Sequence, residues 1–306
     1  MSNSPNRRLP GLALLLALPA ASLADGATHT QRLRAPLDPL LEATRAAGVW
    51  TLPSPSTLRA AETAFRRMLE SPAASTHGAL WSALGFEVVE LTLGGRRFSF
   101  VREQAGRREG RGAYLFAHAS SARWALQAPH VPSDLRTGRI AARLAVQGDF
   151  RVVAWNTLPR RVAGQGAGDT PASTDVTHVP GTWFSALARA YAAQFPDGRV
   201  LELHGFDPAQ RRSASARGAD FIVSPAHRGT SAAASAFADC LAATGLGKVL
   251  RFPTEIGELG GTTNVNARLL HALGFDGFIH LEIAPAAREL LARRRSAREE
   301  LLKCLR

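Results

Sequence analysis

Several common functional signatures are missing from this chain, and each gap removes a class of function. Only two cysteines occur, Cys240 and Cys304. They are far apart, so neither a C-x-x-C redox motif nor a zinc finger is available. Ser120 and Ser224 lack the G-x-S-x-G setting of a nucleophile elbow, which argues against a serine hydrolase. The run Gly260-Gly261-Thr262-Thr263-Asn264 looks like a phosphate cradle but has no P-loop lysine. The apolar stretch at 11–18 is too short for a permanent membrane span. Lysine is scarce as well: apart from Lys248 and Lys303, the basic residues are arginine. The net charge of +12 and pI near 11.2 would suit a polyanion. An Arg- and Ala-rich composition is also what a GC-rich genome encodes, and no nucleic-acid motif accompanies the charge. No nucleic-acid partner is therefore expected; acidic envelope material is the polyanion that fits.

What is present begins with an export signal. Arg7 and Arg8 precede the apolar run, and Ser22-Leu23-Ala24 follows as a small-x-small cleavage site, the three parts of a signal peptide in order. The expectation is a signal peptide over 1–24 and a mature periplasmic or secreted chain. Such a compartment permits a Cys240–Cys304 disulfide tying the last helix to the domain; two buried thiols are the alternative. With 306 residues and 45% hydrophobic content, the chain can bury one large core and carry a small appendage.

Periodicity divides the mature chain in two. Residues 25–112 read as a small α+β region. It has a helix over 57–69 capped by Ser56 or Thr57, a short helix near 77–84, and a hairpin of strands 86–93 and 97–102 turning at Gly94-Gly95. The charged loop 104–111 is the boundary. Residues 113–306 alternate strands with helices. Strands fall at 113–117, 124–128, 151–155, 200–203, 220–223, 248–252 and 277–281. Helices fall at 135–146, 182–195, 231–244 and 265–273, with one more at the C-terminus, and a long loop spans 156–180. This alternation predicts an α/β fold with a largely parallel, mixed sheet and helices on both faces.

Ligands of such sheets bind beyond the carboxyl ends of the strands, so residues at those positions carry the functional argument. His130 ends WALQAPH, His204 ends RVLELH and Glu282 ends GFIHLE. A catalytic zinc ion needs three protein ligands and an open position. His130, Asp134 and His204 can supply them, with Glu282 as the group that moves protons. Each of these residues also has a plainer role. A histidine after a strand is commonly a hydrogen-bonded rim residue, and Asp134 alone reads as a helix N-cap. His118 and His227, which also follow strands, are the substitutes for Asp134 as a ligand.

On these residues the stretch 124–291 resembles the zinc-dependent N-acetylmuramoyl-L-alanine amidases, and more loosely the N-formylglutamate amidohydrolases and zinc carboxypeptidases. WALQAPH with DLRTGRIAARL is similar to the amidase strand that ends in a zinc histidine before a helix. RVVAWNTLPRR is similar to the strand that ends near an arginine. LARAYAAQFPDGRVLELH is similar to the approach to the second histidine, and GFIHLEIAPAARELL to the strand with the catalytic glutamate. The resemblance implies one zinc ion held by His130, Asp134 and His204, with Glu282 catalytic. Two departures are visible: Val131-Pro132-Ser133 replaces the amidases' Gly-rich turn, and Asp134 is shorter and closer than their glutamate ligand.

Around this centre, Arg136, Arg160, Arg161, His178 and His280 are the substrate-binding candidates. Arginine suits a carboxylate or phosphate, and His280 shares a strand face with Glu282. The expected function is an exported zinc hydrolase that cleaves an amide bond in a peptide-like or cell-wall-derived substrate. The alternative is a metal-free envelope binding protein on the same fold.

Overall fold

The structure is a computed structural model that describes residue 1 and residues 50–105, 109–162 and 172–306. The predicted signal peptide therefore lies outside the described residues, Met1 apart. In chain order the elements are α1 (Pro55–Glu70), α2 (Ala74–Ala83), β1 (Phe86–Leu93), β2 (Arg96–Glu103), β3 (Ala113–Ala117) and β4 (Trp124–Ala128). There follow α3 (Thr137–Gln147), β5 (Val152–Trp155), the two-residue strands β6 (Arg161–Val162) and β7 (Ala172–Ser173), α4 (Trp183–Gln194) and β8 (Arg199–Gly205). The chain ends with α5 (Ala214–Arg217), β9 (Phe221–Ser224), α6 (Ala232–Ala243), β10 (Val249–Arg251), α7 (Val265–Ala272), β11 (Phe278–Ile283), α8 (Pro285–Arg293) and α9 (Arg295–Lys303).

Nine strands form one mixed sheet in the order β1-β2-β3-β5-β4-β8-β11-β9-β10. Its centre, β5-β4-β8-β11, is parallel, while β3 runs against β5 and β9 against β11. Apolar residues alternate sides along these strands, as a period of two requires. Leu201, Leu203, Ile279 and Leu281 face a core shared with α3, α6, α8 and α9. Val200 and Phe278 face the other core, shared with α1, α2, α4 and α7. Helices thus cover both faces, and the fold is α/β with a mixed sheet. The hairpin assigned by sequence to the N-terminal region joins this sheet, with β2 pairing to β3. The charged loop at 104–111 links two neighbouring strands.

Local chemistry sets the helix ends. Ser54, not Ser56 or Thr57, caps α1, because Pro55 suits the first helical position and needs no donor there. Thr182 and Ser185 form a capping box on α4, and Asn264 caps α7. The predicted helix over 135–146 starts later, at Thr137, after Arg136 takes a left-handed φ of 73°. The expected single C-terminal helix is two, since Arg294 is extended between α8 and α9. Cys240 on α6 is disulfide-bonded to Cys304, just past α9. Among the described residues, no helix is long and apolar enough to cross a membrane.

Candidate metal centre

Parallel pairing places three strand ends side by side. β4 lies next to β8, and β8 next to β11, so the segments carrying His130, His204 and Glu282 emerge at one edge of the sheet. His118 and His227 follow β3 and β9, which run the other way. Strand direction thus sends those two histidines to the opposite end, and neither can substitute for Asp134. Ser224, also on β9, donates its hydroxyl to the Gly260 carbonyl at 2.7 Å.

The β4–α3 turn brings Asp134 back over His130: the Asp134 N–H donates to the His130 carbonyl at 2.7 Å. Asp134 does not cap α3, whose N-cap is Arg136, so its carboxylate is available to the site. His130 Nδ1 lies 3.0 Å from His204 Nδ1 and 3.3 Å from Asp134 Oδ2; the third edge, His204 Nδ1 to Asp134 Oδ2, is 3.8 Å. Ligand atoms around a tetrahedral zinc ion, with bonds near 2.0–2.1 Å, lie roughly 3.3 Å apart. This triangle brackets that spacing, and its members form a group able to hold a metal ion.

The far nitrogens of both imidazoles are committed to buried carboxylates. His130 Nε2 sits 2.9 Å from Asp175 Oδ1, and His204 Nε2 sits 2.7 Å from Glu202 Oε1. An ionised carboxylate only accepts, so each Nε2 carries its hydrogen, and a ring that is neutral turns an Nδ1 lone pair to the shared centre. A carboxylate behind each ligating histidine is the usual outer shell of a metal site. Asp175 is fixed in turn by the Thr177 hydroxyl and N–H, at 2.7 and 3.0 Å, and by Arg160 Nε at 3.0 Å. Glu202 also accepts from Asn264 Nδ2. A second group, Glu202, His204 and His280, also has metal-ligand spacing. Its shared oxygen already accepts two short hydrogen bonds, so the first group is the better site.

Glu202 and His204 on β8 stand in register with His280 and Glu282 on β11. Two short motifs, E-L-H and H-L-E, therefore make a square in which acids and imidazoles alternate. The His204 and His280 rings lie 4.1 Å apart, and His280 Nε2 is 3.3 Å from Glu282 Oε1. Glu282 Oε2 is buried with no hydrogen-bond partner, so it has an unused acceptor.

Burial and pairing set the protonation. Burial works against charge on His130 and His280, but hydrogen bonds to Asp134 and Asp175, and to Glu202 and Glu282, outweigh it and raise each ring to about 9. Burial and the neighbouring His280 charge push His204 down. Burial raises the four acids, yet their histidine partners hold Asp134, Asp175, Glu202 and Glu282 below the usual carboxylate range. Those four negative charges face the guanidinium charges of Arg160 and Arg288. The remaining two are balanced either by protons on His130 and His280 or by one divalent cation with both rings neutral.

His130, Asp134, His204, His280 and Glu282 line a cavity of about 180 Å³ with His178, Gly205, Gly261 and Thr263. Arg160 is at its edge. His178 bridges its two sides, with Nδ1 3.0 Å from Asp175 and Nε2 3.0 Å from Thr263 Oγ1. Arg136 turns elsewhere, pairing with Glu289, and is not among the lining residues. Arg161 pairs through its backbone with Ser173, and its side chain lies outside the described residues. From sequence, Asp175 with His178 in DVTHVPGT reads as a residue that could line the cleft, and the structure sets its carboxylate behind His130; Glu202 had no assigned role. Glu202 left a trace: a charged residue two places before His204 in an otherwise apolar strand.

The sequence matches no protein-family model and no curated protein. Among solved structures it is similar to an N-formylglutamate amidohydrolase from Ralstonia eutropha, with 13% identity, a TM-score of 0.39, and coverage of 64% of this chain and 96% of that one. It is also similar to a metallo-carboxypeptidase from Burkholderia cenocepacia, with 13% identity, a TM-score of 0.36, and coverage of 77% and 70%. Neither is an N-acetylmuramoyl-L-alanine amidase, the family its strand-end motifs resemble.

Proposed function

We propose that this chain is a zinc-dependent hydrolase that cleaves an amide bond in a peptide-like or cell-wall-derived substrate, acting in the periplasm or outside the cell. One observation carries the reading. Two imidazoles backed by carboxylates turn their Nδ1 atoms to the same point, and a carboxylate oxygen completes the triangle. A divalent cation between these three atoms would satisfy them together, and the donor set is the His, His, carboxylate of catalytic zinc. Zinc bound there would polarise a carbonyl and lower the pKa of a bound water.

The remaining roles belong to the chain's own residues. His130, Asp134 and His204 hold the ion. Glu282, beside His204 with one oxygen unpaired, takes a proton from the attacking water and gives it to the leaving amine. His280 orients Glu282 through its Nε2 contact. Arg160 and His178, at the cavity mouth, receive an acidic or polar part of the substrate.

Metal analysis of the purified protein tests this reading. The expected result is one zinc per wild-type chain and loss of that zinc in His204→Ala. Full zinc stoichiometry in the variant would sink the ligand assignment. A wild-type chain that takes up no zinc on dialysis would favour the metal-free binding protein, with protons on His130 and His280 meeting the charge balance.

A further inference from the structure

We propose that Arg288 is a positioning residue for this centre: one buried guanidinium ties the segments after β4 and β8 to the helix after β11, and so sets the spacing of Asp134, His204 and Glu282. The proposal rests on the metal reading above. Arg288 lies in the first turn of α8, six residues beyond Glu282, where side chains lean back toward the helix start. It is 8% exposed. Nη1 donates to the Leu135 carbonyl at 2.9 Å and Nη2 to the Phe206 carbonyl at 3.3 Å. Leu135 directly follows Asp134, and Phe206 comes two residues after His204.

The guanidinium packs on Gly205, where a Cβ would fall 2.5 Å from Nη1. The Gly205 N–H in turn donates to Asp134 Oδ2 at 2.8 Å. This chain of contacts leads from Arg288 to a ligand atom through a residue whose side chain must be absent. Arg288 Nε is buried without a partner, and burying a guanidinium is costly, so an apolar residue of similar size would stabilise the fold as well or better. The arginine makes sense for what it does at the site. A planar fork reaches two carbonyls on different segments, which the compact ammonium of lysine does not reproduce. Its charge also faces the two acids: burial pushes the guanidinium pKa down, and Asp134 and Glu282 oppose that shift.

Two variants of the full chain test the idea. Arg288→Lys keeps the charge and removes the fork. Gly205→Ala keeps the arginine and displaces it, since the clashing atoms belong to the end of a flexible side chain. Zinc affinity is read by competition with a chromophoric chelator, the ligand geometry by the visible spectrum of the Co²⁺ form, and folding by the melting of chelator-treated protein. Each single variant is expected to melt as a folded protein, lose roughly 10–100-fold in zinc affinity and show a shifted Co²⁺ spectrum. The double variant is expected to bind no worse than the weaker single, because both changes act through one contact. Wild-type zinc affinity and spectrum in a folded Arg288→Lys, or fully additive losses in the double variant, would overturn the positioning role. If Arg288→Lys does not fold, Gly205→Ala with wild-type affinity overturns it instead. Failure of the wild-type chain to bind either metal is a separate result: it removes the metal reading, and this role with it.

Discussion

Two buried regions lie against the same face of the sheet and are built on opposite principles. One is the aromatic cluster where α1, α2 and α4 meet the hairpin side. Phe65 stacks edge-on against Trp81 and Tyr114 with ring centroids 5.1 and 4.8 Å apart, and Phe86 packs against Trp81 and Trp183. The other is the strand-end centre, where three imidazoles and four carboxylates share a small volume. Burial is the source of stability in the first, with each aromatic side chain contributing about 1.5–3 kcal/mol or more. In the second, burial costs free energy, and hydrogen bonds between opposite charges offset it. Substitutions should therefore separate cleanly: the aromatic region should answer in stability, the polar region in metal binding and chemistry.

The largest expected break is Glu282→Gln. Removing the proton-transfer group while keeping its shape should lower kcat/KM for the amide substrate by roughly 10²–10⁴-fold, with zinc content unchanged. A variant that hydrolyses at the wild-type rate would end the catalytic assignment. Next is Phe65→Ala, which should cost about 3–5 kcal/mol in denaturant unfolding and leave zinc stoichiometry intact in the folded protein. Loss of zinc with little loss of stability would contradict the division between the two regions.

The disulfide offers a control distant from both. Replacing Cys240 and Cys304 together by serine opens a loop with a sequence separation of 64 residues. It should cost about 2–4 kcal/mol of stability, read as a lower denaturant midpoint, with no change in metal affinity. The smallest effect is expected from Asp175→Asn. Asparagine keeps the shape behind His130 but loses the charge, so zinc affinity should fall by about 10–100-fold while the unfolding midpoint moves little. Should Asp175→Asn instead unfold the protein, this carboxylate belongs with the structural residues.

Much of the architecture could be read from the chain because burial writes a period into it. AYLFA, WALQA, RVVAW and GFIHLEI are short apolar runs set between helical patterns, and they form β3, β4, β5 and β11. The ends of those runs made His130, His204 and Glu282 worth naming. Asp175 was less legible: it comes from a Gly- and Thr-rich loop and reaches His130 from 45 residues away. Nothing in the local pattern marks Arg288, whose role depends on carbonyls of two distant segments. Arg136 was named for proximity in sequence, and the left-handed turn at that residue sends it to Glu289 instead.

By itself the sequence determined the alternation of strands and helices, and the acids and imidazoles that end three of the strands. Those features depend on local periodicity and on residue type. Strand order and direction were decided only by tertiary structure: the antiparallel runs of β3 and β9 removed His118 and His227, and the β8–β11 register set E-L-H beside H-L-E. Pairing joins residues distant along the chain, and no local pattern specifies which partner a strand takes. The same holds for the charge balance, because a carboxylate's state depends on the neighbours that pairing and packing bring to it.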